Sequence, residues 1–343
     1  MLAKPPIFTL LCLLGLLFGL AVVGSRWLSP RALWSYVGDM GHFVAALPTS
    51  SAAPNARDAT PTASPSLAAA SGAAAPSVRP DALLNRTTQL FETCSSVAAR
   101  IYVAVNIYGQ SLLGSGVYLE QDRVHAHRMR LELNIQHGDR AFTLLQVCDG
   151  RYLWVYRLQG EHPELTRIDM AEINRASQLH RGQSCWPPLA GLAKLLDGLR
   201  ADFDFVAVED FRLPQWPPLW RLRGHWKREQ LARMLPAQSA AITAGKAADL
   251  TKLPEQFPDQ VVLYVGQQNA FPYRLEYRHT LPGGRAARGG DRPSTLLMAM
   301  QLIDVALNVP IAPVRFSYSP PADIPYAEKT NEWLGYLGLS AAK

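Results

Sequence analysis

Residues 141–157, A-F-T-L-L-Q-V-C-D-G-R-Y-L-W-V-Y-R, are two apolar runs joined by Asp149-Gly150. Asp-Gly between apolar runs is a strong hairpin signal, because a type I′ turn needs φ > 0 at both central residues. A two-residue loop there sets Cys148 opposite Arg151 and fixes the register. Thr143, Leu145 and Val147 then share one face with Tyr152, Trp154 and Tyr156, while Phe142, Leu144 and Gln146 share the other with Leu153, Val155 and Arg157. A half-exposed antiparallel hairpin alternates apolar and polar residues, but this one is largely apolar on both faces. It belongs in the middle of a sheet with apolar material against both sides, and that material is either a core or a cavity.

Strand patterns surround the hairpin. Ile101, Val103, Val105 and Ile107 alternate with Tyr102, Ala104, Asn106 and Tyr108, and Met129, Leu131, Leu133 and Ile135 alternate with Arg130, Glu132, Asn134 and Gln136. Between them, Gly114, Ser115 and Gly116 predict a break, bulge or strong curvature. Further strands are expected at 165–170, 205–208, 220–226, 261–266, 273–280 and 296–307. A helical stripe with Asp81 as N-cap runs from Leu83 to about Ala98. A second helix starts at Pro187-Pro188 and repeats Leu189, Leu192, Leu195, Leu196, Leu199 and Phe203 at three and four. Gly191 and Gly198 make it a poor helix by propensity, which suits a movable lid and a plain core helix equally. A short helix is expected at 228–235, an Ala-rich insertion at 236–253 and a basic loop at 282–293. The sum is an α+β fold, a strongly curved antiparallel sheet or partial β-barrel with helices against its concave face.

The N-terminal third is of another kind. Residues 7–23 are an uninterrupted apolar run after Lys4, long for a cleaved signal and just long enough to span a bilayer. Residues 1–28 are read as a transmembrane anchor or uncleaved signal, with a cleavage site still possible after Val23-Gly24-Ser25. Residues 29–80 are a juxtamembrane segment followed by an Ala/Pro/Ser/Thr linker with too little apolar surface to offset its ordering entropy. Residues 81–343 form the folded domain. The chain carries 34 Lys and Arg against 28 Asp and Glu, but the basic residues are scattered and lack the aromatic interleaving of a nucleic-acid surface, so no nucleic-acid partner is expected.

Three stretches in order resemble the bacterial outer-membrane lipoprotein carrier (LolA/LolB-like) superfamily. They are G-S-G-V-Y-L at 114–119 followed by R-M-R-L-E at 128–132, D-G-R-Y-L-W-V-Y at 149–156, and F-S-Y-S-P-P at 316–321. The resemblance implies an incomplete barrel with a helical lid over an apolar cavity for acyl chains. The implied ligand is an acylated lipoprotein or a lipid, bound for carriage or acceptance in the cell envelope. The alternative is an envelope sensor that detects lipoproteins and signals to a protein partner. The implied setting is the bacterial inner membrane, crossed once, with the C-terminal domain in the periplasm. Candidate lining residues are Leu131, Leu133, Leu145, Trp154 and Tyr156 from the sheet and Leu192, Leu195, Leu196 and Leu199 from the lid. An ordinary core would use the same residues. A functional arginine of the soluble carriers falls between the first two matching strands, where this chain has Arg123 and Arg128, with Arg128 the one that abuts a strand.

Other chemistry is sparse. His125 and His127 form H-x-H without a neighbouring Cys or carboxylate cluster, so no metal site is assigned. Cys94, Cys148 and Cys185 allow one disulfide and a free thiol, or none. Asn85-Arg86-Thr87 is a formal glycosylation sequon. Nucleophile-elbow, phosphate-loop and paired-carboxylate patterns are absent from the sequence, and neither catalysis nor a cofactor is expected.

Overall fold

The computed structural model describes residues 78–107, 110–121, 127–137, 140–179, 191–213, 216–254, 257–281 and 293–336. The expected anchor at 7–23 and the linker lie outside the described residues, as does the basic loop apart from its last residue, Pro293. Among the described residues, no helix is long and apolar enough to cross a membrane.

Helix α1 (Pro80–Thr93) leads into strands β1 (Ser96–Ile107), β2 (Gln110–Gln121), β3 (Arg128–His137), β4 (Arg140–Cys148), β5 (Tyr152–Gln159) and β6 (His162–Asp169). Helices α2 (Met170–Leu179) and α3 (Gly191–Asp202) follow, then β7 (Phe203–Phe211), β8 (Leu219–Trp226) and the short helices α4 (Arg228–Met234) and α5 (Ser239–Thr243). The chain continues through β9 (Gln260–Gly266), β10 (Pro272–Thr280), β11 (Ser294–Leu307), β12 (Tyr326–Glu328) and helix α6 (Thr330–Tyr336). Helix α1 begins with Pro80 in its first turn, after Arg79, and Asp81 sits inside that turn rather than capping it. A proline is at home there because its missing N–H has no helical partner to lose. The helix stops at Thr93, and residues from Ser96 onward, read from sequence as the tail of its stripe, already belong to β1.

The strands form one 12-stranded sheet in the order β12-β6-β5-β4-β3-β2-β1-β11-β10-β9-β8-β7. Every ladder is antiparallel except β12 on β6. β12 and β7 are the two edges, so the sheet is open and curved rather than closed. The expected break in β2 does not occur. That strand pairs without interruption from Ser96–Gln121 to Ile107–Gln110. Gly116 instead permits a close approach, since a Cβ there would lie 1.7 Å from the Glu132 carbonyl oxygen. The irregularities fall elsewhere, between Ala98 and Arg100, Phe205 and Ala207, Pro272 and Arg274, and Tyr277 and Arg278. Bulges at such points bend and twist a sheet.

The central hairpin pairs Cys148 with Leu153, not with Arg151. The Asp149 carboxylate accepts hydrogen bonds from the Arg151 and Tyr152 amides at 2.8 and 2.7 Å. Gly150, with φ of 104°, thereby becomes the first central residue of the turn. A shift of two residues keeps side-chain parity, so the two faces are composed as expected.

One face of the sheet packs on helices. It presents Ile101, Val103 and Val105, then Met129, Leu131, Leu133 and Ile135, then Met298, Met300 and Leu302, all buried in one continuous core with Leu83, Leu84 and Phe91 of α1 and Ile173 of α2. The outer face carries ion pairs, among them Arg130 with Glu132 and Arg274 and Arg278 with Glu276. At the β4–β6 end the outer face is covered by the chain after β11. Buried Phe316 ends a short turn, Tyr318 and Tyr326 lie 5.7 and 5.2 Å from the Trp154 ring, and β12 then joins the edge. The Arg167 guanidinium sits over the Tyr152 and Tyr326 rings and bonds Glu328. The 236–253 insertion packs Ile242 and Leu253 with Leu235, the residue before it, into a small separate core.

The close approach at Gly116 gives a stability test. Gly116→Val should cost more than about 2 kcal/mol in urea denaturation, because backbone has to move. Gly198→Ala, where an added Cβ meets nothing within 4 Å, should instead stabilise by about 0.5–1 kcal/mol through helix propensity.

Candidate functional site

Helix α3 reads G-L-A-K-L-L-D-G-L-R-A-D. Leu192, Leu195, Leu196 and Leu199 lie on one helical face and are at most 8% exposed. They meet Leu263 of β9, Leu275 of β10 and Met300 of β11 on the inner face, and the space left among them is about 10 Å³. That is room for one water-sized sphere, whereas sites for organic ligands enclose roughly 300–1,000 Å³. Between α3 and this part of β9–β11, the helix itself fills the inner face.

Both ends of α3 are held by polar groups. At its start Gly191 has φ of 83°, and the Leu192 amide donates to the Tyr118 hydroxyl at 3.1 Å and to Glu120 Oε2 at 3.4 Å. The Tyr118 hydroxyl donates to the same Glu120 oxygen at 2.5 Å, and His127 Nε2 is 3.1 Å from Oε1. Glu120 is fully buried. A Cβ at Gly191 would stand 2.4 Å from Glu120 Oε1, so only glycine lets the helix start seat on this carboxylate. Burial lowers the His127 pKa, but hydrogen bonding to Cys148 and Glu120 and the Glu120 charge outweigh it, and the net effect is a rise to about 9. The stability this contributes is full below the imidazole's ordinary pKa of about 6.5. It is lost as pH climbs through about 9.

At the other end, Asp202 is buried, and Gln230 donates to its Oδ1 at 2.7 Å. Its Oδ2 has no hydrogen-bond partner among the described residues. Burial raises the Asp202 pKa to about 6 against the opposing pull of Lys227 and Arg233. Burial and the Asp202 charge also raise the pKa of the buried Tyr277 phenol. A carboxylate at a helix C-terminus also faces the negative end of the macrodipole. Lys227 Nζ caps the Arg200 carbonyl at 2.6 Å. Arg200 in turn donates to Thr88 and Asn85 of α1 at 2.9 and 2.8 Å, so the sequon asparagine serves as a structural acceptor.

The residues expected to line one site divide between the two faces. Leu192, Leu195, Leu196 and Leu199 are together, and Leu131 and Leu133 are buried on the same inner face, with Leu131 paired to Tyr118 beside the start of α3. Leu145, Trp154 and Tyr156 are not with them. Leu133 pairs with Leu144, which puts Leu145 opposite Glu132 and on the outer face with Trp154 and Tyr156. Inner-facing Leu144, Leu153 and Val155 take their place in the core. Arg128 opens β3 opposite Gln121, with the parity of outward-facing Arg130. Arg123, His125 and Cys185 lie outside the described residues. Cys94 and Cys148 are both buried free thiols, donating to the carbonyls of Ser96 and His127. Sequence reasoning missed Tyr118, Glu120 and Asp202. For the first two a signal existed, since period two puts both on the side of Gly116, where a carboxylate is out of place.

An open antiparallel sheet with helices on its inner face is the architecture that the sequence resemblance implied. No protein-family model and no curated protein matches the chain. Among solved structures the chain is similar to MucB in complex with MucA(peri), at 12% identity and TM-score 0.32 over 70% of this chain and 60% of that one. It is similar to an outer membrane lipoprotein-sorting protein domain from Vibrio parahaemolyticus, at 8% identity and TM-score 0.28 over 68% of this chain and 95% of that one. It is also similar to a LolA superfamily protein from Nitrosomonas europaea, at 12% identity and TM-score 0.24 over 70% of this chain and 98% of that one.

The buried Asp202 yields a pH test with a defined sign. Its carboxyl holds a proton more tightly folded than unfolded. Its burden on the fold grows as pH rises from about 4 and is complete above about 6. Asp202→Asn should therefore be more stable than the parent at pH 7.5 by about 1–3 kcal/mol, with the difference vanishing near pH 4 in paired denaturation curves.

Proposed function

We propose that this protein binds the acyl chains of lipoproteins or lipids on the inner face of its sheet, with helix α3 as the competing occupant. The observation that carries the reading is that α3 fills that face with four leucines, leaving about 10 Å³, although its sequence is a poor helix former. Burying four leucines is worth roughly 6–12 kcal/mol, and a sixteen-carbon chain at about 0.8 kcal/mol per CH₂ offers a similar amount. The exchange of lid for ligand is near balance. A bilayer offers the chain the same gain, so a protein built this way takes up and gives back a lipid with little net change in free energy. In this reading the activity is binding rather than catalysis. The setting is the bacterial envelope, with residues 7–23 in the inner membrane and the domain held in the periplasm for carriage or acceptance.

A second reading, a sensor that detects lipoproteins and docks on a protein partner, draws support from the outer face. Tyr102 and Leu113 are 40% and 63% exposed, and their strands place them diagonally adjacent, since Ala104 pairs with Leu113 and Tyr102 with Ser115. Exposed apolar side chains set together in this way suit a protein contact.

Native mass spectrometry of the full chain, taken from membranes in mild detergent with lipid extraction alongside, tests the binding reading. The expected result is a stoichiometric acyl-bearing ligand. An empty protein that takes up no added lipid would sink it. Leu195→Ala then tests the competition. Weakening the lid by a cavity-forming change worth about 2–5 kcal/mol should raise affinity for an added acyl chain at least about tenfold, whereas an ordinary core residue would lower stability alone.

A further inference from the structure

The outer face of the sheet carries an apolar stripe that stands open among the described residues. Leu113 of β2 and Tyr102 of β1 are 63% and 40% exposed, and Ile303 of β11 is half-buried. The ladders set the three on one diagonal, since Leu113 pairs with Ala104, Tyr102 with Gln301 and Arg100 with Ile303. Each step goes one strand across and two residues along, about 7 Å for side chains on one face. Ser115, Asn134 and Gln301 beside the stripe are uncharged, and Arg100 and Asp304 at its end pair with each other. An apolar diagonal set among uncharged groups fits an amphipathic segment without net charge.

The sequence holds a segment of that kind outside the described residues. In residues 30–47, P-R-A-L-W-S-Y-V-G-D-M-G-H-F-V-A-A-L, Leu33, Val37, Met40, Val44 and Leu47 recur at intervals of four and three, the spacing of a single helical face. Ser29-Pro30 ahead of them is a helix-start signal. Away from that face the segment is mostly Ala, Gly and Ser, and the charges of Arg31 and Asp39 cancel. A helix that lies on a bilayer carries a polar face rich in Lys and Arg instead. Gly38 and Gly41 make the segment a poor helix alone, so its order would come from contact. Residues 48–77 join it to Val78, which packs on the core. A linker of roughly thirty residues reaches about 30 Å, more than the radius of such a domain. A segment tethered in this way is present at an effective concentration on the order of millimolar.

We propose that residues 30–47 dock in cis on the outer face, along the stripe of Leu113, Tyr102 and Ile303. The contact turns the outer face toward the side of the chain where residues 7–23 enter the membrane in the proposed function, and it leaves the inner face directed away. The docking itself does not depend on what the inner face binds.

Photo-cross-linking on the full chain tests this. A p-benzoylphenylalanine replaces Tyr102 or, as a control, Val314, which is 72% exposed on the chain after β11, and the products are mapped by mass spectrometry. Position 102 should cross-link within one chain to residues 33–47, and position 314 should not. Val37→Asp combined with Val44→Asp should reduce the product from position 102 at least about tenfold, since each charge replaces an apolar contact. Amide exchange on the full chain gives a second measurement. Leu113→Asp, at a site already facing water, should speed exchange across residues 33–47 about tenfold, in mild detergent and in discs of phosphatidylethanolamine and phosphatidylglycerol alike. Cross-links from position 102 to a second chain, or to no protein residue, overturn the proposal. So does exchange across residues 33–47 that slows in the discs but ignores Leu113→Asp, the behaviour of a segment lying on lipid.

Discussion

A large antiparallel sheet that is apolar on its inner face and open at both edges has to cover that face, and in this molecule much of the cover is helix α3. Its four leucines close on Leu263, Leu275 and Met300 with almost no space to spare. Without them, the inner face of β9–β11 would lose that cover. The helix that does this is an odd choice for a permanent plug. Gly198 makes no contact that requires a glycine, and the helix ends on a carboxylate that burial drives toward protonation. A core helix free of other demands would carry alanine at the first position and a cation at the second.

The polar groups at the two ends act in opposite directions. Glu120, Tyr118 and His127 seat the start of α3 through a backbone donor, with Gly191 supplying the clearance. Asp202 at its end is a standing penalty near neutral pH, only partly relieved by Gln230 and Lys227. Both ends of the helix are thus tied to the rest of the fold, the start through the Leu192 amide and the end through Lys227, Gln230 and Arg200. The outer face is built differently, from Arg–Glu pairs and the aromatic strap around Trp154.

Much of this was legible in the chain. Alternation at 101–107 and 129–136 located β1 and β3, the leucine spacing at 192–199 located α3, and the order of three motifs pointed to the fold. Where reading by residue type failed, geometry explains the failure. Leu145, Trp154 and Tyr156 look as suited to a cavity as Leu131 and Leu133, but pleat parity across the β3–β4 turn sends them to the other face, where residues after β11 cover them. That cover comes from more than 150 positions further along the sequence, beyond the reach of local patterns. Asp149 moved the hairpin register because its side chain competed for turn amides that the Asp-Gly rule assigns to backbone geometry alone. The glycines at 114 and 116 signalled a close approach, not a break. Asp202 carried no local signal at all, since a carboxylate at a helix end is ordinary until the tertiary packing buries it.

The proposed function requires that α3 leave the sheet when an acyl chain arrives. Amide hydrogen exchange along residues 192–199, compared in the full chain with and without a saturating acyl ligand, measures it directly. Displacement predicts that these amides exchange faster with ligand bound, while β1, β3 and β11 stay as protected as before. If the ligand binds and these amides keep or gain protection, the helix is a fixed part of the core. The chain then binds elsewhere, and the competition between lid and ligand is wrong.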